Sequence, residues 1–171
     1  MGDNIKVSWE EVENLISSIA QKMIAVAFYP SVIITILRGG VVPARLLCNY
    51  FDKVSLFTVT AKLYEDDWQA SNIYMHNTGS VKVGDISIPI NGYGKESILV
   101  MDDISDSGKT FRAVLEEMHN KYSISYDDGT LRTASLYVRA SSNFLPIFYG
   151  KKVEHEKWFD FPWEKKTKGE K

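Results

Sequence analysis

The sequence predicts an α/β fold: a mostly parallel central sheet flanked by helices. Two observations carry that expectation. Val32-Ile33-Ile34-Thr35-Ile36-Leu37 and Ser97-Ile98-Leu99-Val100-Met101 are short, nearly all-apolar runs. They lack the in–out alternation of a strand with one wet face and read as strands buried on both faces, as in parallel sheets. Segments with helical spacing lie between such runs, and regular strand–helix alternation implies parallel crossovers.

The elements follow in order. Ser8-Trp9-Glu10-Glu11 has capping-box spacing, with Ser8 as N-cap and Glu11 reaching back. Apolar residues then recur at Trp9, Val12, Leu15, Ile16, Ile19, Ala20 and Met23, a helical period that ends before Pro30. After the strand at 32–37, Gly39-Gly40 breaks the chain, and Val42 to Phe51 reads as a helix with Pro43 near its first turn. Val54 to Leu63 is a second strand. Tyr64 to Glu96 is rich in Asp, Asn, Gly and Ser, with two weak strand signals at 80–83 and 86–90. It reads as a lid, because long irregular insertions in compact domains are often functional. The third strand is Ser97–Met101. A helix starts at Gly108 with Phe111, Val114, Leu115 and Met118 on one face, and Thr130 to Val138 is the fourth strand.

Size and composition bound the function. A chain of 171 residues suits one domain, taken here as 1–171. No apolar run reaches the ~18 residues that span a bilayer, so no membrane partner is expected. The single cysteine, Cys48, cannot form an internal disulfide, which makes a reducing cytoplasm the expected setting. A net charge of −2 argues against nucleic acid as a partner. His76, His119 and His155 show no metal-ligand spacing.

The segment that carries chemistry is Ile98-Leu99-Val100-Met101-Asp102-Asp103-Ile104-Ser105-Asp106-Ser107-Gly108-Lys109-Thr110. A buried strand runs into two carboxylates, then a small polar loop, then a helix start. Ligands of open α/β sheets bind at the carboxyl ends of strands, and a loop feeding a helix N-terminus offers unpaired N–H groups and the positive end of a dipole to a phosphate. Ser105, Ser107 and Thr110 add hydroxyls, and Gly108 permits close backbone approach. Gly108-Lys109-Thr110 imitates the end of a nucleotide-binding P-loop, but that motif needs a glycine where Asp103 stands. Asp102 and Asp103 would repel a triphosphate. They suit neutral hydroxyls beside a single phosphate, as in ribose 5-phosphate. On the residues alone, an acidic surface turn that caps the helix fits the same pattern.

Ile98 to Thr110 resembles the motif that binds phosphoribosyl pyrophosphate (PRPP) in the type I phosphoribosyltransferases, with Ser107 in place of the commoner threonine. The resemblance implies that Ser105, Asp106, Ser107, Gly108, Lys109 and Thr110 cradle the 5-phosphate and that Asp102 and Asp103 hold the ribose hydroxyls. In purine members the acidic residue inside the loop, here Asp106, faces N7 of the base as general acid/base. Leu37-Arg38-Gly39-Gly40-Val41-Val42-Pro43 resembles the family's pyrophosphate loop. It implies that Arg38 and Gly39 meet the pyrophosphate and that the Leu37–Arg38 peptide is cis. Trp158-Phe159-Asp160-Phe161-Pro162-Trp163-Glu164 resembles the hood of xanthine–guanine and related 6-oxopurine enzymes, spanning about 152–166. It implies that Trp158 stacks on the base while Phe159 and Asp160 read its edge. Where the family has a lysine facing the 6-oxo group, this chain offers Arg139, which is longer and planar. The lid also departs from the usual Ser-Tyr pair: Lys62-Leu63-Tyr64 keeps only the tyrosine.

These likenesses lead to one expected activity: transfer of ribose 5-phosphate from PRPP to N9 of guanine, xanthine or hypoxanthine in purine salvage. The cofactor implied is Mg2+, touched by Asp102 and by Glu164. A homodimer or homotetramer is the implied assembly. Two alternatives stand beside this. One is a PRPP- or nucleotide-sensing regulator of the same fold. The other is a transferase for another nucleobase, although in several of those the hood is N-terminal.

Overall fold

A computed structural model of the chain describes residues 4–62, 74–76, 97–122, 129–154 and 157–164. A first short strand, β1 (Ile5–Lys6), leads into helix α1 (Trp9–Ala25). The N-cap is as the spacing predicts: Ser8 Oγ accepts from the Glu11 N–H at 3.1 Å. The reciprocal half of the box is replaced, because Glu11 Oε1 accepts from the Tyr137 hydroxyl at 2.8 Å. A phenol inside the fold needs a partner for its proton, and Glu11 is the acceptor in reach. Val12, Ile16, Ile19, Ala20 and Met23 form the buried stripe of α1, at the spacing that keeps them on one face.

The main sheet contains β2 (Val32–Leu37), β3 (Ser55–Lys62), β4 (Tyr74–His76), β5 (Ile98–Ser105), β6 (Leu131–Arg139) and β7 (Phe148–Val153). Their spatial order is β4-β3-β2-β5-β6-β7. Among the described strands only β4, at the edge, is antiparallel. Helix α2 (Val41–Leu47), extended by a 3-10 turn at Cys48–Tyr50, links β2 to β3, and α3 (Lys109–Tyr122) links β5 to β6. The segment expected as one helix to Phe51 therefore tightens after Leu47.

Both faces of the sheet are covered, which explains the unbroken apolar strands. Ile33, Leu99, Met101, Ala134 and Leu136 pack with α1, Ala44 and Leu47 on one side. Val32, Ile34, Ile36, Val100 and Leu131 pack with Phe111, Val114 and Met118 on the other. Helices α2 and α3 thus lie on opposite faces. The chain winds outward in one direction from β2 and in the other from β5, so the boundary between β2 and β5 is a topological switch point, where open α/β sheets form a ligand crevice.

A second, two-stranded sheet joins β1 to β8 (Phe159–Asp160) in parallel, Ile5 opposite Phe159 and Lys6 opposite Asp160. The segments 80–83 and 86–90, and most of the expected lid, lie outside the described residues. Of the 64–96 region the structure describes β4, whose register pairs Thr60 with His76 and Lys62 with Tyr74.

The α1 stripe gives a direct test. Ile16→Ala, at a fully buried site, is expected to cost about 2–5 kcal/mol through lost burial and the cavity left behind. Ile24→Ala on the exposed side of the same helix should stay within roughly 0.5 kcal/mol of the parent. Urea unfolding of both variants measures the difference.

Candidate active site

The site is assembled where the strands stop pairing at different heights. β2 pairs with β5 only as far as Thr35 opposite Met101. On its other side β5 continues against β6 to Ser105 opposite Val138. Strand β5 is thereby longer than the apolar run at 97–101 suggests, and it carries a buried Asp102 and a half-buried Asp103 on the stretch that runs on past β2. The chain leaves β2 there through a cis Leu37–Arg38 peptide, as the resemblance implies. It turns at Gly39-Gly40. A Cβ on Gly39 would overlap the carboxylate of Asp103. A Cβ on Gly40 would come within 2.6 Å of Thr35 Oγ1 and 2.7 Å of the Met101 carbonyl oxygen. Only glycine permits this approach. The acidic pair and the Arg38–Gly39 turn, 64 positions apart between Gly39 and Asp103 in the numbering, are therefore one surface. The side chain of Arg38 is exposed at its rim.

The two carboxylates are organised by the backbone that bears them. Asp102 Oδ1 accepts from the Asp103 N–H at 2.9 Å, and Asp103 Oδ1 accepts from the Ile104 N–H at 2.7 Å. Burial, followed by the adjacent charge of Asp103, pushes the Asp102 carboxyl well above the usual carboxylate range. Burial also raises Asp103, to about 6, against the opposing pull of the Ile104 N–H and of Asp102, with the charge of Glu164 adding to the rise. Among the described residues the donors to the pair are backbone N–H groups, with no cation or hydroxyl bonded to either carboxylate. A polyhydroxyl ligand or a cation would relieve the pair.

The turn after β5 is Asp106-Ser107-Gly108, and Gly108 has φ of +80°, a conformation reserved for glycine. The first-turn N–H groups of α3 have no acceptor within the helix; that of Lys109 points to Ser107 Oγ at 3.4 Å. Ser107, Lys109 and Thr110 remain on the accessible side of the turn. Ser105 does not. Its hydroxyl is buried and donates to the Phe144 carbonyl oxygen at 2.8 Å. The expected phosphate hydroxyl is instead a tie to the loop that follows β6. A strand-end side chain that faces inward must satisfy its proton locally.

Asp106 links the turn to the other end of the chain. It is ion-paired with Arg139 Nε at the end of β6. The Arg139 side chain is almost fully buried, whereas that of Asp106 is more than half exposed. Arg139 Nη2 also donates to the Lys157 carbonyl oxygen at 3.1 Å, and its guanidinium lies 5.7 Å from the Phe159 ring centroid. The residue expected to face the base is thus braced on both Asp106 and the hood. Beside it Trp158 presents its indole, 62% exposed. Phe159 is buried against Tyr137 at 4.4 Å between ring centroids.

Asp160 Oδ1 accepts from Asn4 Nδ2 at 3.0 Å, so one of its oxygens serves the N-terminal strand. Glu164 Oε2 accepts from the Phe161 N–H at 3.3 Å, and the remainder of Glu164 is exposed. Among the described residues no group of three or more His, Cys, Asp or Glu side chains could hold a metal by itself. Sequence reasoning missed Asn4, Lys157 and the Ser142–Phe144 loop. The first acts by an amide with no local motif, and the other two act chiefly through backbone carbonyls, which leave no trace in residue type.

Two outcomes are expected. Gly39→Ala should leave the fold intact while displacing the Asp103 carboxylate, weakening ribose 5-phosphate binding in calorimetry by about tenfold or more. Unaltered affinity would separate Gly39 from the site. The second concerns pH. The folded-state value of Asp103 lies above its unfolded value of roughly 4, so between pH ~4 and ~6 the folded chain keeps a proton the unfolded chain has released. The contribution of this group is most favourable below pH ~4 and is lost as pH rises to about 6. The stability advantage of Asp103→Asn over wild type should therefore grow across that window and level off above it, as followed by denaturant titration at several pH values.

Comparison with known proteins agrees with this geometry. Residues 7–168 match the family model described as phosphoribosyl transferase domain. A xanthine-guanine phosphoribosyltransferase of Nitratidesulfovibrio vulgaris is 27% identical over 158 residues, covering 92% of this chain and 83% of that protein. One of Cereibacter sphaeroides is 28% identical over 132 residues, covering 77% and 68%. Among solved structures, a purine phosphoribosyltransferase from Pyrococcus horikoshii superposes with a TM-score of 0.71 at 27% identity, covering 99% of each chain. With its switch-point crevice, its acidic doublet and nearly its whole length matched, the chain belongs to the phosphoribosyltransferase family.

Proposed function

We propose that the protein transfers ribose 5-phosphate from PRPP to N9 of a 6-oxopurine (guanine, xanthine or hypoxanthine), releasing pyrophosphate, in purine salvage. The observation that carries this reading is the position of Asp106. It stands on the turn suited to a 5-phosphate and is tied through Arg139 to the hood that carries Trp158. One carboxylate therefore adjoins both the sugar-phosphate side and the aromatic side of the crevice. The names of the two curated relatives support a purine acceptor.

In this reading the raised carboxyls of Asp102 and Asp103 accept hydrogen bonds from the two ribose hydroxyls, which favours their charged forms. The Asp106–Thr110 turn holds the 5-phosphate with N–H groups, hydroxyls and the dipole of α3. Arg38 and the backbone at Gly39 receive the pyrophosphate, stabilising negative charge as the C1–O bond breaks and the ribose becomes oxocarbenium-like. Trp158 stacks on the purine, an interaction worth about 1–3 kcal/mol. The backbone of Phe159 and the remaining oxygen of Asp160 lie on the same hood for its edge. Arg139 offers a planar donor surface toward the 6-oxo position. As N9 attacks C1, Asp106 accepts the proton that leaves N7.

The residues suit a family magnesium ion. Asp102 and Asp103 form an acidic pair, and Asp103 feels the charge of Glu164. Asp102 and Glu164 would hold the ion. When bound, it neutralises charge on the pyrophosphate.

The test is a panel of bases incubated with PRPP and magnesium, with nucleotide formation followed by absorbance. A 6-oxopurine should be converted and adenine, uracil and orotate left untouched; conversion of none overturns the assignment. Asp106→Asn should retain PRPP affinity and lose about 10²–10⁴ in turnover, the range expected for general acid–base catalysis. Equal turnover would remove Asp106 from the proton transfer.

A further inference from the structure

The loop from Ala140 to Ile147, which returns the chain from β6 to β7, meets the Asp106–Gly108 turn through several independent contacts. The Ser105 hydroxyl and the Ser142 hydroxyl both donate to the Phe144 carbonyl oxygen, at 2.8 and 3.0 Å, and lie 3.0 Å from each other. The Asn143 N–H donates to the Ser107 carbonyl oxygen at 3.1 Å. Arg112, in the first turns of α3, donates through Nη2 to the Asn143 carbonyl oxygen at 2.5 Å. The ring of Phe144 stacks on Phe111 with centroids 5.2 Å apart and planes 15° from parallel. Gly108 lies so close that a Cβ there would come within 2.5 Å of Phe144 Cβ and 2.9 Å of Ser142 Oγ. The two loops are packed at backbone distance, and the 140–147 loop shares none of the residues assigned above to ligands.

We infer that Ser142 and Arg112, acting through the Asn143 and Phe144 carbonyls, are positioning residues that hold the Asp106–Thr110 turn in its phosphate-receiving shape. This rests on the reading of that turn as the 5-phosphate site. The physical reason is conformational. Three small polar residues and a glycine at positive φ have many alternatives to a single anion cradle. An anion site whose amides already converge binds more tightly than one that must be ordered by its ligand. The Ser107 carbonyl is anchored by Asn143, so the peptide between Ser107 and Gly108 is fixed in orientation. The N–H on the opposite side of that same planar unit is then directed away from Asn143. Ser105, at the end of β5, is fixed from below by the same carbonyl that Ser142 holds. Arg112 closes the arrangement from the helix side, where its guanidinium satisfies a loop carbonyl that the crossover leaves unpaired.

The experiment uses Ser142→Ala and Arg112→Ala, with Arg112→Lys as the conservative variant, in the full-length chain. Calorimetry with ribose 5-phosphate reads the turn without requiring any transfer; steady-state assays then give KM for PRPP, KM for the base, and kcat. Each alanine variant is expected to weaken ribose 5-phosphate binding and raise KM for PRPP by about fivefold to tenfold. KM for the base, and kcat at saturating PRPP, should stay within about twofold of wild type, and Arg112→Lys should recover most of the affinity. Unchanged ribose 5-phosphate affinity in both alanine variants overturns the inference. So does a parallel loss of kcat and of both KM values, which would mark general destabilisation. A wild-type chain that binds ribose 5-phosphate yet converts no base would sink the proposed reaction while leaving the affinity ratio of the variants to decide this one. Failure of the wild-type chain to bind ribose 5-phosphate would overturn both.

Discussion

The contact on which the site depends is between a carboxylate and a place where there is no side chain. Asp103 lies against the backbone of Gly39. This is possible because β2 stops pairing with β5 at Thr35 while β5 runs on beside β6. Unequal strand ends create a step in the sheet, and the turn after β2 folds into it. Negative charge is thereby concentrated beside a turn edged by Arg38 and next to the N-terminus of α3. An acidic pair and the positive end of a helix dipole thus sit side by side. The raised carboxyl of Asp103 reflects its burial first, with the charge of Glu164 adding to the rise.

Much of this was legible in the residues because the underlying physics is local. Buried parallel strands show as β-branched runs, a helix shows as a stripe from Val12 to Met23, and the acidic doublet followed by a small polar turn, ambiguous on its residues alone, is legible through its likeness to a family motif. The misreadings came where a side chain answers to a distant partner. Glu11 was expected to complete a capping box, but a buried phenol 126 positions away takes its carboxylate. Ser105 was expected to face phosphate, but it is claimed by a carbonyl in another loop. Strand β7 gave no clear signal because it is an edge strand, with Tyr149 and the two lysines at 151 and 152 toward solvent between the buried Phe148 and Val153. The pairing of Ile5 with Phe159 joins segments of two residues each, too short for any periodicity to register.

Arg139 illustrates how one substitution changes the mechanics of a site. A lysine at that position would end in a single compact charge. The guanidinium instead engages Asp106 with one nitrogen and a hood carbonyl with another, a division of labour that its planar fork permits. The aromatic cluster of Tyr137, Phe159, Phe161 and Trp163 then supports the hood from below, so that a short, irregular segment is held as firmly as a regular element.

The zipper between residues 5–6 and 159–160 has a consequence for how the protein is made. Ile5 donates to the Trp158 carbonyl and Val7 to that of Asp160, so β1 waits for a partner far along the chain. The main sheet draws on residues up to Val153 of β7. The two-stranded sheet of β1 and β8 cannot close until residue 160 follows. Such long-range closure is a slow class of contact. The hood edge therefore forms only after the segment that bears Asp102, Asp103 and the turn beyond them.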